Sequence, residues 1–376
     1  MRLSELKTGQ SATILNVLGH GGFRRRIMEM GFVRGKRVDV LQNAPLRDPI
    51  KYRIMDYEVS LRRSEAAMIV VITAEEVQQQ LSVAGETLSA PDDADFEEAI
   101  STRSRTINVA LIGNPNSGKT SLFNAISGGH EHVGNYSGVT VDAKRGEYRY
   151  GGYRFVITDL PGTYALSAYT PEELYVRRHL VNDTPDVVVN AVVASNLERN
   201  LYLTTELIDI DPKMVVALNM YDELEASGAV LDYEHLGAML GVPMVPVVAK
   251  TGRGLETLLD TVIAVYENRD PRVRHIHINN GSVVEQALRP LYERLRSDRD
   301  ELPKHFPPRY FAMKLLERDK EVEAQLADCP HFAEWIALRD RAVPQVEEEL
   351  GEDVETALAN QKYGFISGAL KETFTP

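Results

Sequence analysis

The segment Gly113-Asn114-Pro115-Asn116-Ser117-Gly118-Lys119-Thr120 matches the pattern G-x-x-x-x-G-K-[ST] and constrains the fold more than any other stretch. An apolar run, 107–112, precedes it, and a helical pattern, 121–126, follows. A loop of this kind works only between a strand and a helix. Its glycines let backbone N–H groups turn inward around a phosphate. The cradle is expected to run from Asn114, Pro115, Asn116 and Ser117 through Gly118 to Ser121. Lys119 brings positive charge to the β- and γ-phosphates, Thr120 offers a hydroxyl to Mg²⁺, and the helix N-terminus adds partial positive charge.

From residue 107 onward, apolar strands alternate with helical stretches. Runs at 107–112, 154–158, 187–193, 214–218 and 244–248 read as strands of a mostly parallel, doubly wound α/β sheet. Three later segments fall at strand ends. Asp159-Leu160-Pro161-Gly162 offers a carboxylate for Mg²⁺ and the Gly162 N–H for a γ-phosphate. Asn219-Met220-Tyr221-Asp222 is an N-x-x-D pattern. Its aspartate can accept from N1–H and N2–H₂ of guanine, donors that adenine lacks, so the pattern selects GTP over ATP. Val248-Ala249-Lys250 closes the set, with the Ala249 N–H directed at guanine O6 and the Lys250 stem over the base. Between the first two motifs lies Gly138-Val139-Thr140, and Thr140 is placed to be a second Mg²⁺ hydroxyl.

The order of four motifs predicts a GTP- and GDP-binding P-loop domain that converts GTP to GDP and phosphate. Thr163 occupies the position where Ras-like enzymes carry a water-orienting glutamine, so intrinsic hydrolysis is expected to be slow. Charge on the transferring group then needs another source, either a partner's arginine or a monovalent cation. The Asn116 side-chain carbonyl is the candidate K⁺ ligand.

The flanking regions read differently. Residues 1–75 carry short strands at 11–18, 37–41, 51–54, 57–61 and 68–71, with one helical patch at Phe23, Ile27 and Met30, which suggests a small β-barrel. A short helix is expected at 75–81, and 76–104 reads as a linker that turns acidic and apolar-poor from Ser89 to Asp95. The P-loop domain spans 105–270, and 271–376 reads as helical, with strands ending near Arg269. There Ser282 and Glu285 form an expected capping box, and Pro290 is expected to kink or shorten its helix. Helical patterns continue at 311–316, 321–326, 332–338 and 346–358.

Composition narrows the partners. A net charge of −13 argues against nucleic acid as a partner and against a broad anionic-lipid surface. The single cysteine, Cys329, excludes an internal disulfide and reads as an ordinary thiol in a reducing compartment. No run approaches the ~20 apolar residues of a membrane span, so the chain reads as soluble. His130-Glu131-His132 on a loop, the alternating His275-Ile276-His277 and the run Arg24–Arg26 read as solvated groups rather than metal or nucleic-acid sites.

The motifs GNPNSGKTSL (113–122), VGNYSGVTVD (133–142), DLPGTYALS (159–167), Asn219–Asp222 and Thr251-Gly252-Arg253-Gly254 together resemble the G-domain of the ferrous-iron transport protein B (FeoB) family. Where that family usually has Trp-Pro, this chain has Tyr136-Ser137. Residues 1–73 resemble FeoA, an SH3-like barrel, and the helical tail is similar to the family's domain between G-domain and membrane. The resemblance implies Fe²⁺ uptake across the bacterial inner membrane from its cytoplasmic face. It also implies K⁺-stimulated hydrolysis with Asn116 as ligand, and a transmembrane FeoB region as partner beyond Pro376. It leaves a homo-oligomer open. The competing expectations are a ribosome-assembly or tRNA-modification GTPase, disfavoured by the acidic balance, and a nucleotide-dependent adaptor.

Overall fold

The computed structural model describes residues 1–18, 26–43, 48–83, 105–128, 131–134, 143–167, 169–303 and 306–376. They form two compact units, Met1–Thr106 and Ile107–Pro376.

In the first unit, β1 (Ser11–Val17), β2 (Arg37–Asn43), β3 (Ile50–Ile54), β4 (Tyr57–Leu61) and β5 (Ile69–Ile72) form one antiparallel sheet in the order β4-β3-β2-β1-β5. Alternation drives it: Ile50, Tyr52 and Ile54 point inward while Lys51 and Arg53 point out. Ile14, Ile27, Phe32, Val38 and Tyr52 share one core, as expected of a small barrel. A short helix α1 (Arg63–Ala66) precedes β5, and α2 (Ala74–Val83) follows it. Arg26 is exposed and ion-paired with Glu65, in keeping with a charged helix face. Arg24 and Arg25 lie outside the described residues.

The second unit is built on a seven-stranded sheet. Its strands are β6 (Thr106–Gly113), β7 (Glu131–Gly134), β8 (Ala143–Tyr150), β9 (Tyr153–Asp159), β10 (Val187–Val193), β11 (Met214–Asn219) and β13 (Met244–Pro246), in the order β13-β11-β10-β6-β9-β8-β7. β6, β10, β11 and β13 run parallel. Their near-continuous valine, leucine and alanine content suits strands covered on both faces. β7 and β8 add an antiparallel edge that the sequence reading did not mark. Ala-Lys-Arg-Gly-Glu-Tyr-Arg-Tyr in β8 exposes most of its side chains, so it carries little apolar signal. Glu131 and His132 belong to β7 rather than to a loop, and His130 lies outside the described residues.

Around the sheet lie α3 (Lys119–Ser127), α4 (Pro171–Asn182), α5 (Leu197–Ile210), α6 (Tyr221–Ser227), α7 (Tyr233–Leu240) and α8 (Leu255–Tyr266). The chain continues into α9 (Ser282–Ser297), α10 (Pro308–Leu316), α11 (Lys320–Leu326), α12 (Phe332–Leu350) and α13 (Val354–Thr373). These helices share a core with α5 and one face of the sheet: Leu201, Leu207, Leu288, Phe311, Trp335 and Ile366 fall in one cluster.

Five details of this region differ from the sequence reading. Gly281, not Ser282, caps α9, and Glu285 instead accepts from Asn280 N–H (3.0 Å) and pairs with Arg309. Pro290 does not shorten α9, because it faces solvent while Val284, Leu288, Leu291 and Leu295 hold the other face. The pattern at 346–358 is two helices, broken at left-handed Gly351 and restarted by Asp353, whose side chain accepts from Thr356 N–H. His275 and His277 lie in no strand, and His275 pairs with Asp211 at 3.0 Å. Strands also do not stop near Arg269: β14 (Phe374–Thr375) pairs with β12 (Val230–Leu231). A two-residue strand is too short to show an alternating pattern.

Candidate functional site

The phosphate loop leaves β6 and enters α3. Asn116 (φ 64°) and Gly118 (φ 76°) both take left-handed backbone, which curls the loop. A Cβ on Gly118 would lie 2.3 Å from Asn219 Nδ2, so only glycine fits there. Lys119 is buried, and its Nζ donates to Asp159 Oδ1 at 2.7 Å. Thr120, Ser121 and Asn116 are exposed at the mouth. The Ser117 hydroxyl and Asn114 Oδ1 are buried without a hydrogen-bond partner. Unpaired buried polar atoms of this kind are costly.

The segment after β9 docks directly on this loop. Leu160 N–H donates to Leu111 O and Thr163 N–H to Gly113 O, each at 3.1 Å. A Cβ on Gly162 would meet Pro115 Cα at 3.0 Å. Thr163 is buried and its hydroxyl donates to Ala165 O at 2.6 Å, so it does not face outward as a water-orienting residue would.

Asn219 ties the base-reading loops to the phosphate loop. Its Nδ2 donates to Ser117 O at 2.9 Å, and its Oδ1 accepts from Ala249 N–H at 3.2 Å. Met220, at φ 55°, turns the chain so that Asp222 is exposed on α6. Val248 is buried and bridges to Arg253, folding a tight turn that leaves Lys250 exposed. Asn114 to Ser121, Gly162, Met220, Asp222, Val248, Ala249 and Lys250 therefore lie on loops and helix starts at the C-terminal edge of the sheet, and Asp159 and Asn219 are the last residues of β9 and β11. That edge is where open α/β sheets bind ligands. Gly138, Val139 and Thr140 lie outside the described residues.

Sequence reasoning missed Arg199. Its guanidinium stacks 4.2 Å over the Tyr164 ring, and its carbonyl accepts from Asn114 Nδ2 at 3.4 Å. One residue of α5 thus touches both the phosphate loop and the segment after Gly162. No periodicity distinguishes this arginine from an ordinary helix-surface cation.

Comparison with known proteins places this geometry. The family model for ferrous iron transport protein B matches residues 107–262, the FeoA domain model matches 1–73, and the FeoB cytosolic helical domain model matches 281–375. A GDP-bound mutant of the S. thermophilus FeoB G-domain superposes with a TM-score of 0.64 at 35% identity, covering 72% of this chain and 100% of that one. The chain belongs to the FeoB family. The cytosolic domain of T. maritima FeoB in apo form gives a TM-score of 0.61 at 32% identity, over 72% of this chain and 100% of that one. A Porphyromonas gingivalis Fe(2+) transport protein A/Fe(2+) transporter FeoB fusion protein is 49% identical over 100% of this chain. A Staphylococcus aureus Fe(2+) transporter FeoB is 35% identical over 64% of it. The chain spans 47% and 35% of the length of those two relatives. Among the described residues, no helix is long and apolar enough to cross a membrane.

Proposed function

We propose that this chain is the GTP-binding and slowly GTP-hydrolysing module of a FeoB-type Fe²⁺ transporter, acting on a membrane-spanning region at the cytoplasmic face of the bacterial inner membrane. In this reading residues 1–75 are a FeoA-like barrel, 76–104 a linker, 105–270 the G-domain and 271–376 a helical domain. The single observation that carries the reading is the double tether of Asn219 to Ser117 and Ala249, which joins a phosphate cradle to a guanine-reading edge.

Asp222 reads the guanine N1–H and N2–H₂, the Ala249 N–H reads O6, and Lys250 and Met220 flank the base. Backbone N–H groups from Asn114 to Ser121 and the Lys119 ammonium hold the phosphates. Gly162 donates its N–H to the γ-phosphate. Thr120 and Asp159 supply hydroxyl and carboxylate oxygens, the donor type a hard cation such as Mg²⁺ takes, with Thr140 as a third. Mg²⁺ neutralises phosphate charge when bound. Asn116, exposed on left-handed backbone, offers its amide carbonyl to K⁺. Thr163 is turned into the protein, which fits slow turnover without an added cation.

Titration calorimetry with GDP, GTP and ATP tests the nucleotide assignment, and equal or absent binding of all three overturns it. Turnover in K⁺ against Na⁺, for wild type and Asn116→Ala, tests the cation. An unchanged rate in both comparisons rejects Asn116 as its ligand. Fe²⁺ uptake by the complete transporter with and without Lys119→Ala tests the coupling to transport.

A further inference from the structure

Far along the chain from the nucleotide loops, three potential metal ligands converge where α9 ends and α12 begins. Asp298 is the C-cap of α9, Glu301 follows in the next turn, and His331 is the N-cap of α12. One ligand atom from each lies within 4.8 Å of the other two. His331 Nδ1 hydrogen-bonds Glu301 Oε1 and sits 4.0 Å from Asp298 Oδ1, while His331 N–H donates to Glu301 Oε2 at 3.2 Å.

The Asp298 side chain is only 9% exposed, and its two oxygens are used unequally. Oδ2 is fixed by the buried Trp335 Nε1–H at 2.8 Å and by Arg294 Nε at 3.0 Å. Oδ1 receives no hydrogen bond and faces the imidazole. Oδ1 is therefore open to an incoming ligand, and the Trp335 bond to Oδ2 keeps the carboxylate from turning away.

Charge points the same way. Asp298 and Glu301 face the imidazole, Glu334 lies 2.9 Å from Arg294, and Asp328 acts on Cys329 beside them. Arg294 is the one arginine or lysine in these contacts among the described residues, and its guanidinium is shared between Asp298 and Glu334.

We propose that Asp298, Glu301 and His331 form a reversible site for a divalent first-row transition metal such as Fe²⁺, Mn²⁺ or Zn²⁺. One imidazole and two carboxylates suit that class, whereas Mg²⁺ and Ca²⁺ take oxygen-only sets and Cu⁺ prefers thiolate. Three protein ligands leave coordination positions open to water, so binding is exchangeable rather than structural. The bonded His331–Glu301 pair opens to admit the ion between them, while Asp298 stays in place. The inference goes beyond the nucleotide reading and does not rest on it.

The test uses the full chain without nucleotide, titrated by calorimetry with Mn²⁺ and with Zn²⁺, and anaerobically with Fe²⁺. Co²⁺ absorption reports the ligand field. The expected result is one saturable site, weakened at least ~10-fold by His331→Gln and by Glu301→Gln, the lower end of the range for disturbing a metal site. Both side chains are partly exposed, so unchanged thermal melting of these variants is expected and separates ligand loss from unfolding. Absence of saturable binding, or binding that both variants leave intact, means the three groups are an internal ion pair only and overturns the proposal.

Discussion

Asn219 donates to the Ser117 carbonyl across 2.9 Å while its own amide oxygen accepts from Ala249 N–H. A residue that sequence reasoning assigned to the nucleotide thus spends both ends of its amide on protein. It is 2% exposed. Asn219→Ala removes both bonds and leaves the Ser117 carbonyl and Ala249 N–H unpaired. Each buried group left unsatisfied costs about 1–3 kcal/mol. Urea unfolding is expected to show a loss of that order, and calorimetry a GDP affinity reduced ~10–100-fold by the same range. A variant with wild-type affinity would show that the two loops hold their positions without the tether.

Lys119 and Asp159 are partners at 2.7 Å, yet the proposed chemistry needs the lysine on phosphate and the carboxylate near Mg²⁺. Binding must therefore exchange one ion pair for two others. Asp159→Asn releases Lys119, so GDP affinity in EDTA is expected to rise. The further gain on adding Mg²⁺ is expected to shrink, since a neutral amide is the poorer ligand. Lys119→Ala is expected to lose ~10–100-fold in affinity in either buffer, a charged hydrogen bond being worth about 1.5–3 kcal/mol. Fluorescent-nucleotide titrations with and without EDTA check all three.

Much of this site was legible because its parts are local. The loop at 113–120 has its own signature, and the parallel strands announce themselves as apolar runs such as Val187–Val193. What stayed hidden is non-local or polar. β8 exposes Arg145, Glu147, Tyr148 and Arg149 and only half-buries Lys144 and Tyr150, so neither period stands out. β14 is two residues long and exists only because β12 is there to pair with. Asn219 as a tether and Arg199 as a contact of both Tyr164 and Asn114 depend on which loops meet, which no spacing encodes. Pro290 does not shorten α9, the propensity rule being outweighed by four buried side chains on the opposite face.

Asp222 is exposed at the start of α6 and reads guanine through two acceptor oxygens in the proposed pose. Asp222→Asn replaces one acceptor by a donor. Xanthine retains N1–H but carries a carbonyl where guanine has N2–H₂, so the amide matches it. GTP affinity is expected to fall and XTP affinity to rise, each by ~10–100-fold for one charged hydrogen bond. Competition titration with both nucleotides reads the switch. Equal losses for GTP and XTP would mean that Asp222 does not contact the base.

Glu206 on α5 lies beneath Leu166, whose N–H donates to it at 3.4 Å, and it faces Lys362 of α13 and Lys314 of α10. Lys362 also pairs with Asp209 at 2.8 Å, and Lys314 with Glu317 at 2.7 Å. Burial alone would raise the Glu206 carboxyl, but Lys314 and Lys362 override it and hold it down to about 2, against an ordinary 4.5. A carboxyl held below its unfolded value stabilises the fold above that value. Its contribution is therefore present above pH 4.5 and is lost as pH falls toward about 2. Lys362→Met leaves Glu206 and Asp209 with a buried charge to lose, and breaking such a pair costs about 3–5 kcal/mol. Glu206→Gln is expected to flatten the acid limb of the stability curve while Lys362 keeps Asp209. Trp335, the sole tryptophan and fully buried among these helices, reports unfolding of this unit alone. Denaturant titrations followed at its fluorescence from pH 7 to pH 3 give the measurement. An acid limb as steep in Glu206→Gln as in wild type would assign the pH dependence to other carboxylates.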